Sequence, residues 1–107
     1  MSVVQVAQDS FQKEVLDHKG YVFIDFYADW CAPCKMTEPI VHQLADEMKD
    51  MKWVKIDVDQ NAEIASQYSV FSIPTFVILK DGQPVSSFVG AMGKEGFEEE
   101  IKKAKQS

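Results

Sequence analysis

Seven consecutive residues, Tyr21-Val22-Phe23-Ile24-Asp25-Phe26-Tyr27, are apolar or aromatic except for one carboxylate. A strand of that composition has no face to give to water. It belongs inside a sheet covered on both sides, as in the centre of a parallel sheet. The pattern around it is consistent with such layering. Val3 to Val6 reads as a short strand. Phe11, Val15 and Leu16 form a helical apolar face, with Asp9 and Gln12 as a capping pair and His18-Lys19-Gly20 as its close. After Tyr27 a helix is expected from Cys34 to about Lys49, with Ile40, Leu44 and Met48 on one face. Pro39 lies inside it and predicts a kink or a restart. Lys52 to Val58 is a third strand and Ala62 to Tyr68 a short helix. Thr75 to Lys80 and Pro84 to Val89 flank Asp81-Gly82-Gln83, a hairpin signal. A last amphipathic helix carries Phe97, Ile101 and Ala104. The order βαβαβα followed by ββα predicts an α/β fold, a parallel sheet extended by an antiparallel hairpin.

The chain has 107 residues, which predicts a single domain spanning 1–107. A formal net charge of −6 argues against nucleic acid as a partner. Lys102, Lys103 and Lys105 follow Glu98, Glu99 and Glu100, the charge order that suits a terminal helix rather than a basic patch. No apolar run reaches the roughly 18–20 residues of a membrane helix. The segment from Met1 to Asp9 has neither the basic nor the apolar region of a signal peptide. A cytoplasmic protein is therefore expected, and disulfides there are usually transient and catalytic.

The run Asp29-Trp30-Cys31-Ala32-Pro33-Cys34-Lys35 holds the only two cysteines, three positions apart at a strand-to-helix junction. A thiol at a helix start faces unpaired backbone N–H groups and the positive end of the dipole. Both favour the thiolate, so the Cys31 pKa is expected below the free value of about 8.5. Cys34, one turn further in, is expected to be the less exposed. Cys31 then attacks a substrate disulfide, and Cys34 resolves the mixed disulfide. Pro33 suits a first helical position. Zinc usually needs four Cys or His ligands, and only His18, at a helix end, and His42, read as a surface residue, are available. No metal is expected.

Asp25 interrupts the apolar strand six residues before Cys31. A buried carboxyl has a raised pKa, which suits it to accept the Cys34 proton. Lys55, in Trp53-Val54-Lys55-Ile56-Asp57-Val58, is its partner if the two strands pair. In Ser72-Ile73-Pro74-Thr75 the proline stands directly before a strand, where a cis peptide would make a tight turn.

Together these features resemble the thioredoxin family, essentially end to end. Asp25-Phe26-Tyr27-Ala28 with Trp30-Cys31-Ala32-Pro33-Cys34-Lys35 resembles its D-F-x-A-x-W-C-G-P-C-K signature. Pro39, the Lys55 and Asp59 strand, Ile73-Pro74-Thr75, Gly82 and Val89-Gly90-Ala91 match later family segments. The resemblance implies a thioredoxin fold: a five-stranded mixed β-sheet flanked by two helices on each face. It implies a protein-disulfide reductase with nucleophile Cys31, resolving thiol Cys34, and Asp25 with Lys55 beneath them. It also implies a groove for client proteins built from Trp30, Ala32, Pro33, Ile73, cis-Pro74, Gly90 and Ala91, where a substrate strand pairs beside the disulfide. It implies a monomer with no cofactor beyond Cys31–Cys34, and a thioredoxin reductase as electron donor. Two residues depart from the pattern. Ala32 replaces the usual glycine, a change of roughly 0.8–1 kcal/mol in helix propensity, and Tyr27 stands where tryptophan is frequent. Two alternatives are a more oxidising exchanger, which usually carries a histidine within the CxxC, and a non-enzymatic binding subunit on the same fold. An iron–sulfur carrier would need ligands pooled from two chains.

Overall fold

A computed structural model describes residues 2–106. Its strands are β1 (Val3–Gln5), β2 (Tyr21–Tyr27), β3 (Met51–Asp57), β4 (Thr75–Lys80) and β5 (Gln83–Val89), in the sheet order β1-β3-β2-β4-β5. β1 and β2 run parallel to β3, β4 is antiparallel to β2, and β5 is antiparallel to β4. The apolar segment thus becomes the middle strand, where both faces and both edges are covered.

Alternation along β2 divides the core in two. Val22, Ile24 and Phe26 point to one face, among Phe11, Val15 and Ile64. Phe23 points to the other, among Val41, Leu44, Phe97 and Ile101. Helices α1 (Ala32–Glu47) and α3 (Lys94–Lys105) cover the second face. Helix α2 (Ala62–Gln67) and a helical turn at Gln12–Leu16 cover the first. Aromatic rings fill the α1/α3 side. Phe23 stacks on Trp53 with centroids 4.5 Å apart, and Phe97 meets Phe76 edge-on at 4.8 Å.

Several local expectations change. The first helix is a single π-type turn, closed by the Asp17 N–H donating to the Gln12 carbonyl at 2.9 Å. The Asp9–Gln12 capping pair does not form. Phe11 occupies the cap position without a side-chain bond, and Gln12 Nε2 donates to Asp17 Oδ1 instead. The preceding backbone is held in a separate turn, in which the Ser10 N–H donates to the Ala7 carbonyl and the Ala7 N–H to Ser10 Oγ. Helix α1 begins two residues earlier than expected, so Pro33 takes the second helical position, and it runs through Pro39 without restarting. The hairpin turn is the two-residue Asp81-Gly82, with φ of 50° and 82°, the left-handed pair that tight hairpins need. Gln83 therefore already belongs to β5.

His42 is half-buried rather than on the surface, and its Nε2 is buried without a hydrogen-bond partner. It lies three residues before Ala45, at the edge of the buried stripe of α1.

Candidate active site

The parallel register of β2 and β3 sets Asp25 directly beside Lys55. Alternation turns both toward the face of Phe23 and Trp53, which α1 covers. The chain leaving β2 turns back, with the Cys31 N–H donating to the Ala28 carbonyl at 3.2 Å, and enters α1 at once. Cys31 is the N-cap, and its sulfur accepts from the Cys34 N–H at 3.2 Å. That position follows from the sequence. Pro33 is preset for a first helical turn, in which it takes the second position, and Cys31, two residues before it, keeps the extended backbone of a cap. Cys31 and Cys34 are joined as a disulfide with Cα atoms 5.3 Å apart.

Burial does not rank the two cysteines as expected, for in the disulfide form Cys31 is 3% and Cys34 5% exposed. Cys31 is enclosed because the returning loop packs it with Ala28 against Ile73 and Val58. The two residues differ in what they face. Cys34 lines a polar cavity of about 380 Å³ that also holds Asp25, Glu38 and Lys55. Cys31 lines an apolar slot of about 480 Å³ with Trp30, Pro33 and Ile73.

Asp25 is 6% exposed and its Oδ1 has no hydrogen-bond partner. Burial pushes its pKa from the ordinary 3.8 up to about 7, the negative charge of Glu38 adds to the rise, and Lys55 opposes it. Lys55 acts through its charge. It forms no direct ion pair with Asp25, and its ammonium lies 5.7 Å from the centroid of the Tyr27 ring. Glu38 joins the site without a motif to mark it; its one signal in the sequence is its position four residues after Cys34, one turn further along the same helix face.

The Ile73–Pro74 peptide is cis. Pro74 is buried, and its carbonyl accepts from the Gly90 N–H at 2.9 Å. Gly90 has φ of 99°, a conformation that glycine adopts without a steric penalty. Trp30 is 71% exposed and its Nε1 donates to Asp59 Oδ2 at 2.8 Å. Of the groove residues, Trp30, Pro33 and Ile73 meet beside Cys31. Ala32 is exposed, and Ala91 lines a separate apolar groove with Met36 and Met92. Val58, Val70 and Phe71 also line the slot. Their signal in the sequence was an apolar pair, Val70-Phe71, in a loop just before Ser72-Ile73-Pro74. Among the described residues, no group of three or more His, Cys, Asp or Glu side chains is arranged to hold a metal ion. No helix among them is long and apolar enough to cross a membrane.

A sulfur at a helix N-terminus is set up as a thiolate, and a second sulfur one turn away can reclose the bridge. A buried carboxyl whose pKa is raised to about 7 shares a cavity with Cys34. Fold and site together define a dithiol–disulfide oxidoreductase.

The chain belongs to the thioredoxin family, whose profile matches residues 2–103. It is 46% identical over 104 residues to the thioredoxin of Bacillus subtilis, covering 96% of this chain and 98% of that one. It is 43% identical over 101 residues to the thioredoxin of Mycobacterium tuberculosis, covering 94% and 87% respectively. A solved structure of a thioredoxin variant from Halobacterium salinarum superposes with a TM-score of 0.85 at 38% identity, over 94% of this chain and 88% of that one. With its paired cysteines at disulfide distance, the protein is a protein-disulfide reductase of this family.

Proposed function

We propose that Cys31 is the attacking sulfur, Cys34 the resolving thiol, and Asp25 the proton acceptor whose titration Lys55 moderates. The clients are proteins carrying disulfides, bound over Trp30, Ala32, Pro33, Ile73, Pro74, Gly90 and Ala91. The protein acts as one cytoplasmic domain over residues 1–107, as a monomer. A thioredoxin reductase recharges it, and it needs no cofactor beyond the Cys31–Cys34 pair. The observation that carries this reading is the difference in surroundings: Cys31 borders the apolar slot, and Cys34 borders the cavity of Asp25.

In the cycle, the Cys31 thiolate attacks one sulfur of a client disulfide. A Cys31–client bond forms, the client S–S bond breaks, and the first client thiolate leaves to take a proton. Cys34 then gives its proton to the Asp25 carboxylate and attacks Cys31 Sγ. The Cys31–Cys34 bond forms, the mixed disulfide breaks, and the second client thiolate departs. Two electrons have moved to the client. With a pKa of about 7, Asp25 is present in both forms at neutral pH, so it can accept the proton and return it to solvent. Ile73 offers an edge for the client backbone, because no hydrogen bond among the described residues uses its N–H or C=O.

The test is trapping. Incubation with a disulfide client such as insulin should leave Cys34→Ser as a stable covalent adduct, and Cys31→Ser should form none. An adduct on Cys31→Ser at the same rate, or insulin reduction by that variant, would reverse the assignment.

A further inference from the structure

Phe71 is 89% exposed, more than Trp30 at 71%, although it is a large aromatic residue. It lies in the short loop between α2 and β4, and its backbone is anchored on both sides. The Val70 N–H donates to the Ala65 carbonyl at 2.9 Å, and Thr75 Oγ1 donates to the Ser72 carbonyl at 2.6 Å. Val70 packs inward against the core of Val15, Phe26 and Ile64, which turns the next side chain outward. Among the described residues no aromatic ring pairs with Phe71, whereas Phe11, Phe23, Phe26, Phe76, Phe88 and Phe97 all have ring partners. Holding such a ring in water carries a hydrophobic penalty that nothing in the folded chain relieves.

The ring is not isolated from the chemistry. Phe71 and Trp30 line the same slot as Cys31, with Val58 and Ile73 also contributing. Trp30 is held by its bond to Asp59, so the slot has two aromatic side chains with Cys31 alongside them. Anything Cys31 attacks has to bring its own cysteine to this wall, and the residues flanking that cysteine then lie at the slot. The occupant is therefore a disulfide-bearing polypeptide segment. The apolar lining favours an aromatic or large aliphatic side chain. Asp59 at the Trp30 wall and the net charge of −6 disfavour an acidic one.

We propose that Phe71 is a specificity-determining residue, which with Trp30 takes up a large apolar side chain next to the attacked cysteine and so selects clients by their flanking sequence. This inference rests on the reading of Cys31 as the attacking sulfur. One methylene more or less in an apolar pocket is worth about 10–200-fold in specificity.

The experiment uses the pre-reduced protein and two synthetic peptides, each closed by an internal disulfide. They are identical except that both cysteines are flanked by phenylalanine in one and by serine in the other. Single-turnover reduction gives the second-order rate constant for each. The wild type should prefer the phenylalanine peptide by about ten-fold or more. Phe71→Ala should bring the two rates to near equality by slowing only the phenylalanine peptide, and Phe71→Leu should restore part of the preference. Because the Phe71 side chain is exposed, Phe71→Ala should fold, and its far-ultraviolet circular dichroism should match the wild type. A wild-type preference retained in Phe71→Ala, or equal slowing of both peptides, overturns the proposal. Turnover of both peptides by Cys31→Ser would instead overturn the underlying assignment of the attacking sulfur.

Discussion

Replacing Asp25 by asparagine removes a charge that the fold holds at a loss. The carboxyl is 6% exposed, lacks a hydrogen bond at Oδ1, and has its pKa raised from 3.8 to about 7. Below pH 3.8 the folded and unfolded chains both hold the proton, and the group contributes nothing to pH dependence. Between 3.8 and about 7 the unfolded chain ionises while the folded one keeps its proton, so stability falls as pH rises. Above about 7 both are ionised and the loss is complete. The gap is about three pH units, and at about 1.4 kcal/mol each it amounts to about 4 kcal/mol. Asp25→Asn abolishes this slope. Its stability relative to wild type should therefore rise by about 4 kcal/mol between pH 4 and pH 8.5, whatever constant offset the amide introduces. Urea unfolding of the oxidised proteins at several pH values measures it. With a slope of about 2 kcal/mol per molar, the midpoint difference should grow by about 2 M urea over that range. A difference that stays flat from pH 4 to pH 8.5 would mean that Asp25 ionises as freely in the fold as in the unfolded chain, and its proposed part in proton transfer would fall with it. The same variant should slow resolution of the mixed disulfide at pH 7 while leaving the first attack by Cys31 intact.

The two neighbouring charges act on Asp25 in opposite directions. Lys55→Met should move its titration above about 7 and Glu38→Gln below it, as read by the pH dependence of its carboxyl carbon shift; movement of either in the other direction refutes the electrostatic account. Gly82→Ala should destabilise by about 2 kcal/mol or more, since the left-handed conformation alone carries roughly 1–2 kcal/mol for a residue with a Cβ and that Cβ would lie 2.8 Å from the Leu16 carbonyl oxygen. Its insulin-reduction rate per folded molecule should be unchanged, because the hairpin turn lies at the end of β4 away from Thr75 and the cis-proline loop.

Much of the architecture was legible because it is written in local pattern. The near-continuous apolarity of 21–27, broken only by Asp25, marks a central strand, and β2 has those bounds. Asp81-Gly82 marks a tight turn because its left-handed angles suit few other residue pairs. The departures occur where local signals compete. At Asp9 and Gln12 a capping pattern loses to the Ala7–Ser10 turn and to the Gln12–Asp17 bond. At His42 a polar residue is drawn half inside because α1 packs a wide stripe onto the sheet.

The residues themselves settle which chemistry the chain carries. Two thiols three apart at a helix start, and a carboxylate inside an apolar strand, announce their properties through helix geometry and the energy of burial alone. Tertiary structure decides the rest. Only the β2–β3 register sets Lys55 beside Asp25, only the packing of α1 brings Glu38 to the same cavity, and only the return of the chain through β4 gathers Phe71 and Ile73 around Cys31. Lys55 lies 30 positions from Asp25, and Phe71 lies 40 positions from Cys31. Electrostatic effects and contact energies depend on separation in space, which local periodicity does not encode.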